Sequence, residues 1–113
     1  MTINQFIPKL KEEPTSIVFS ETMEVVDKNY DFTPTQFTNG ELKNEAEENN
    51  GSCKVFAFAE EQNLTKEETL YCFGEHYQNV LDNPDAKNHQ NIRNFMEFGF
   101  DGLQFEGNPL TKK

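Results

Sequence analysis

Eleven phenylalanines in a chain of 113 residues, with no tryptophan, constrain this fold more than any other feature. A chain of this length has one core to fill. Each Phe brings a large apolar area in a rigid ring, so Phe residues from many elements have to meet in that core. Together with Leu, Ile and Val they make up about 24% of the chain, above the roughly 20% floor below which highly charged chains stay disordered. The spacing of the apolar residues then shows which elements carry them.

Ile3, Phe6, Ile7 and Leu10 follow i, i+3, i+4, i+7, one helical stripe over residues 2–13. Pro8 lies inside it, so a late start or a kink is expected, and Pro14 limits the far end. Ile17-Val18-Phe19 reads as a short strand or extended lead-in. Ser20 is a good N-cap with Glu21 in the first turn, for a helix with Met23, Val26 and Tyr30 on its apolar face. Residues 31–39 read as extended chain ending at the turn Asn39-Gly40. The polar, acidic run 41–50 reads as an exposed loop or a loose helical turn.

Gly51-Ser52 opens a helix whose buried side carries Val55, Phe56, Phe58 and Ala59, and Asn63-Leu64 breaks it. Thr65-x-x-Glu68 is a capping box. The helix behind it carries Leu70, Phe73, Tyr77, Val80 and Leu81 at a 3.6 period. After a turn-rich connection over 82–88, Ile92, Phe95 and Met96 mark a last helix closed by Gly99. Leu103 and Phe105 alternate and are expected to pair with Thr35–Thr38. The expected fold is mainly α with a minor β part. It is a single compact domain, 1–113, of four or five short helices with a small two-stranded element. The helices after Ser52 and Thr65 are expected to form a hairpin.

Charge excludes several classes of function. Ten basic residues against 20 acidic give a net charge of −10, which repels phosphate backbones and anionic membranes. No nucleic-acid or membrane partner is expected. No apolar run reaches membrane-spanning length, and Met1–Lys11 lacks a basic-then-apolar signal. A cytoplasmic setting with two reduced thiols, Cys53 and Cys72, and a monomer are therefore expected.

Several strings in the chain are distinctive. They include Asp31-Phe32-Thr33-Pro34-Thr35, Asn39-Gly40, Asn49-Asn50-Gly51-Ser52-Cys53-Lys54-Val55-Phe56 and Cys72-Phe73-Gly74. Further along come His89-Gln90-Asn91-Ile92-Arg93-Asn94-Phe95-Met96, Gly99-Phe100-Asp101-Gly102-Leu103 and Gly107-Asn108-Pro109-Leu110. From about residue 20 to 110 the chain resembles the HopJ family of small bacterial proteins, named after a type III secretion effector. The resemblance implies no particular activity, substrate or cofactor. Residues 1–20 are poor in Ser and carry Glu12 and Glu13 early, so type III secretion of this chain is not expected from its N-terminus.

Three constellations could carry chemistry. Cys53 falls in the first turn of a helix, where a thiol's pKa drops and free N–H groups await an oxyanion. His89 could serve as its base, with Gln90 or Asn91 orienting the ring, as in thiol hydrolases. The competing reading is a packed Cys beside Phe56. Cys72 and His76 at i, i+4 suggest a zinc pair, but the Cys₂His₂ inventory has no usual spacing, and no metal or cofactor is expected. Arg93, the single arginine, could grip an anion, or could hold loop carbonyls. The favoured reading is a non-enzymatic binding module for an unidentified protein or small molecule. Its ligand would lie among Thr33, Thr35, Asn39, Ser52, Gln90, Asn91 and Arg93, in a groove beside Phe32, Phe37, Phe98 and Phe100. A thiol enzyme using Cys53 and His89, and an effector acting on a host partner, are the alternatives.

Overall fold

A computed structural model describes residues 1–113. The chain builds six α-helices, α1 (Ile3–Glu12), α2 (Phe19–Asn29), α3 (Asn50–Glu61), α4 (Lys66–Tyr71), α5 (Glu75–Asp82) and α6 (Gln90–Phe98), with two short 3₁₀ turns. Its strands are β1 (Tyr30–Phe32), β2 (Phe37–Asn39), β3 (Leu42–Asn44), β4 (Leu103–Phe105) and β5 (Leu110–Lys112). The mainly helical class with a minor β part is as expected, with more pieces of each kind. No helix is long and apolar enough to cross a membrane.

The middle of α3 is the centre of the molecule. Val55, Phe56, Phe58 and Ala59 are wholly buried on successive faces, as in a helix covered on every side rather than on one stripe. Around Phe56 stand Phe95 of α6 at 4.9 Å, Phe73 at 5.5 Å and Phe37 of β2 at 6.0 Å between ring centroids. On the other side Phe58 meets Phe6 of α1 and Tyr30, both edge to face. The aromatic core thus joins α1, α6, the turn between α4 and α5, β1 and β2 through one helix. Ion pairs from Lys9 to Glu21 and from Lys11 to Glu68 fasten α1 to α2 and α4 at the surface.

Four expectations change. α1 starts at Ile3, capped by a Thr2–Gln5 box, and runs through Pro8. The missing proline donor there removes one interior helical bond, the one to the Asn4 carbonyl, which the capped start and buried face of α1 tolerate. α2 starts at Phe19 rather than after Ser20. Its N-cap is Val18, whose N–H donates to the Glu21 carboxylate at 3.1 Å, while the Phe19 N–H donates to Glu75 at 2.7 Å. Two carboxylates satisfy those donors, so no capping hydroxyl is needed.

The periodic stretch behind Thr65 is two helices, because Cys72-Phe73-Gly74 turns between α4 and α5. Gly74 has φ +57, and a Cβ there would stand 2.5 Å from the Phe19 backbone nitrogen. The turn lets the chain pass directly beneath the start of α2. α3 and α4 do meet across the short 62–65 connection, while α3 packs most closely against α2.

The fourth change is in the sheets. β2 is the middle strand of three, paired antiparallel with β3 and β4, Phe37 facing Phe105 and Asn39 facing both Leu42 and Leu103. The pairing of Leu103–Phe105 with the stretch around Thr35–Thr38 is present, shifted to Phe37–Asn39. Leu42–Asn44, in the run read as loop, is a strand, and β1 and β5 form a second ribbon. Gly40 opens the two-residue β2–β3 turn with φ +63, which primed hairpin turns require.

Candidate functional site

A sequestered network of asparagines sets two helix starts side by side. Asn44 of β3 and Asn91 of α6 are 1% and 5% exposed. Their side-chain amides pair reciprocally, Asn44 Nδ2 to Asn91 Oδ1 at 3.1 Å and Asn91 Nδ2 to Asn44 Oδ1 at 3.0 Å. Asn39 Nδ2 of β2 donates to the same Oδ1 and to the Asn91 carbonyl, and Asn94 Nδ2 donates to the Asn39 carbonyl. Asn49, just before α3, donates to Asn44 Oδ1 at 2.6 Å. Of these buried amide atoms Asn39 Oδ1 alone has no partner. The β2–β3 hairpin thereby holds the starts of α3 and α6.

Both helix starts are left uncapped. Asn49 and His89 are the two N-caps, both in the left-handed region at φ 54 and 52, and neither side chain returns to its own helix. The Asn49 amide is used on Asn44 instead. The N–H groups of Asn50, Gly51 and Ser52 on α3 and of Gln90, Asn91 and Ile92 on α6 have no protein partner. Free first-turn N–H groups carry the positive end of the helix dipole.

The two starts open into one cleft of about 480 Å³. Its polar side is Asn49, Gly51, Ser52, Gln90 and Asn91, and its apolar wall is Phe19, Leu42, Phe73 and Ile92. The two histidines of the chain complete it. The His76 ring is edge-on to Phe19 at 4.8 Å, and His89 lies tilted over His76 at 5.1 Å. Burial, then the neighbouring His76, then Arg93 hold the His89 imidazole below its ordinary pKa. Glu75 is fixed at the α2 start, its carboxyl kept low first by the Phe19 N–H. Unpaired backbone donors from two helices, with two imidazoles beside them, suit a small oxyanion.

Ser52, His89, Gln90 and Asn91 are thus brought together, and Asn39 buttresses them from behind. The other candidates lie elsewhere. Cys53 is 1% exposed, its thiol directed at the Thr35 carbonyl at 3.8 Å, and burial pushes its pKa up to about 11. It does not line the cleft that His89 lines, so the nucleophile–base pair is not assembled. Thr35 Oγ1 is used on the Thr33 carbonyl, and the Thr33 N–H on Pro109. Arg93 donates to the carbonyls of Asn83, Pro84 and Asn88 and to Asn88 Oδ1. It is spent on the 82–88 loop and does not grip a ligand in the cleft.

Most of the expected aromatic groove is packed, although Phe98 is 38% exposed. Phe37 is wholly buried, Phe98 lies against Gly40 and Gly102, Phe100 packs edge-on to Phe95, and Lys54 covers Phe32. Cys72 caps the end of α4, wholly buried, on the far side of the break from His76. No three His, Cys, Asp or Glu side chains gather. Sequence reasoning missed Phe19, Asn49 and His76 as cleft residues. The Cys₂His₂ inventory did group the chain's two histidines, and they do meet, but both thiols are buried away from them.

The comparisons with known proteins agree with one another. The crystal structure of the unknown function protein VPA0580 superposes with a TM-score of 0.98 at 53% identity, covering 100% of this chain and 95% of that one. No curated protein matches the chain. The family model described as HopJ type III effector protein matches residues 3–110, nearly the whole of the fold just described, and the chain therefore belongs to the HopJ family.

Proposed function

We propose that this protein is a binding module whose cleft captures a small organic molecule through a phosphate or comparable oxyanion group. The observation that carries this reading is the convergence of the α3 and α6 starts, both uncapped, on one cleft. Five of these N–H groups, those of Gly51, Ser52, Gln90, Asn91 and Ile92, belong to residues lining the cleft and offer charge-assisted hydrogen bonds of about 1.5–3 kcal/mol each before entropic losses. The wall of Phe19, Leu42, Phe73 and Ile92 favours an apolar body attached to the anion. Binding rather than turnover is favoured because neither the Ser52 hydroxyl nor either imidazole has an orienting partner, and both thiols are buried.

Calorimetry with phenyl phosphate, inorganic phosphate and benzyl alcohol tests the reading. One-site binding of both phosphates is expected, tighter for phenyl phosphate, with none for the neutral alcohol. Ser52→Glu places a carboxylate in the first turn of α3, where it stabilises the helix by about 0.3–1 kcal/mol and occupies the anion's place. That variant is expected to keep or gain thermal stability and to lose phosphate binding at least about tenfold, equivalent to 1.4 kcal/mol. Binding of the alcohol as tightly as phenyl phosphate, or undiminished binding by Ser52→Glu, contradicts an anion site here.

A further inference from the structure

We propose that His76 and His89 work as one proton-accepting pair, so that capture of an oxyanion loads a single proton from solvent onto the pair and the cleft holds its ligand more tightly in mild acid. This rests on the cleft being an oxyanion site. The two rings are 5.1 Å apart by centroid, both line the cleft, and none of their four nitrogens has a hydrogen-bond partner in the protein. Imidazole nitrogens left free on a pocket wall are available to a ligand. Two positive rings at that separation repel, so the pair accepts one proton more readily than two.

The charged surroundings fit this assignment. Next to His76 on α5 is Glu75, whose carboxylate takes the Phe19 N–H and still presents its negative charge to His76. Arg93 of α6 opposes a charge on His89, and Lys87 lies in the loop before α6. Glu45, Glu47 and Glu48 are on the exposed loop leading into α3. What α2, β3 and α3 give to the cleft lining, Phe19, Leu42 and Asn49 to Ser52, is uncharged. In the empty cleft, burial and neighbouring positive charge disfavour a proton on His89. An arriving anion reverses that balance and draws in a proton. Uptake of one proton makes affinity fall as pH rises, by up to tenfold per unit.

Sulfate is the probe, because it does not titrate between pH 6 and 8. Its binding is followed by calorimetry at constant chloride, in two buffers of different ionisation heat. At least about fivefold weaker binding at pH 7.5 than at pH 6.0 is expected, with close to one proton taken up per sulfate. His89→Asn, which tolerates the left-handed backbone, and His76→Gln are each expected to flatten this pH dependence and reduce proton uptake. Sulfate that binds equally at both pH values without proton uptake overturns the histidine pair and leaves the anion site standing. Failure of sulfate to bind the unmodified protein at either pH overturns the anion site, and the pair with it.

Discussion

Individual side chains show the widest separation between what a residue type suggests and what it does. Cys53 stands in the first turn of a helix, where thiols become reactive, yet burial governs and its pKa rises to about 11. Burial pushes Cys72 up further. Both thiols are therefore expected to be alkylated at pH 8 only at the rate set by unfolding. Modification of Cys53 in the folded protein at the rate of a free thiol contradicts this. Asparagine misleads in the opposite direction. From sequence it reads as a turn former, whereas Asn39, Asn44 and Asn91 are buried and bonded to one another. Asn91→Ala removes three side-chain bonds and strands the Asn44 Nδ2 donor. It is expected to cost about 2–4 kcal/mol in chemical denaturation, and a loss below about 1 kcal/mol contradicts the network's role. Such a network has no sequence period, because its members come from four separate segments. The strings around Asn49 and His89 could mark their region but not their mutual contact.

At the level of elements, helices with a strong stripe were legible, and those ended by tertiary contact were not. α1, α3 and α6 follow their apolar spacing, and the Thr65–Glu68 box does cap α4. The α4–α5 break was invisible because apolar spacing continues across it. What decides it is Gly74 passing 2.5 Å from the Phe19 nitrogen, measured from the site of a Cβ. Gly74→Ala is expected to destabilise the fold by about 2 kcal/mol or more, through a positive φ and a backbone contact that cannot yield. β3 was overlooked because three residues with one large apolar side chain carry no periodic signal. Its pairing depends on the Gly40 turn and on burying Asn44. The start of α2 depends on Glu75 from another helix. Glu75→Ala is expected to lose about 1 kcal/mol at neutral pH and little below pH 4, as urea titrations at both pH values would show. Equal losses at both contradict an ionised cap.

For the whole molecule, the fold class and family were legible because eleven Phe residues and several distinctive strings survive any error in element boundaries. The cleft was not, because it lies where two helix starts, a helix break and a hairpin meet. The acid response should reflect two sets of groups. His89 has a depressed pKa, so its neutral form stabilises the fold. That contribution is complete above the ordinary imidazole range and is lost as pH falls through it. Glu21 and Glu68, lowered first by Lys9 and Lys11, and Glu75 contribute stability above the carboxyl range, lost as pH falls through their depressed values. Thermal melting should therefore weaken slightly near pH 6 and steeply below about pH 4.5, and sulfate should offset the first step. A net charge of −10 opposes anions at long range, where salt screens it beyond about 10 Å. Capture then depends on contact donors within the cleft. Their use is read most directly by following backbone amide resonances while titrating inorganic phosphate at pH 6.5. Saturable shifts concentrated at Gly51, Ser52, Gln90 and Asn91, sharing one dissociation constant, are the expected result. Phosphate that shifts no amide in the first turns of α3 and α6, or shifts others instead, would contradict the central claim.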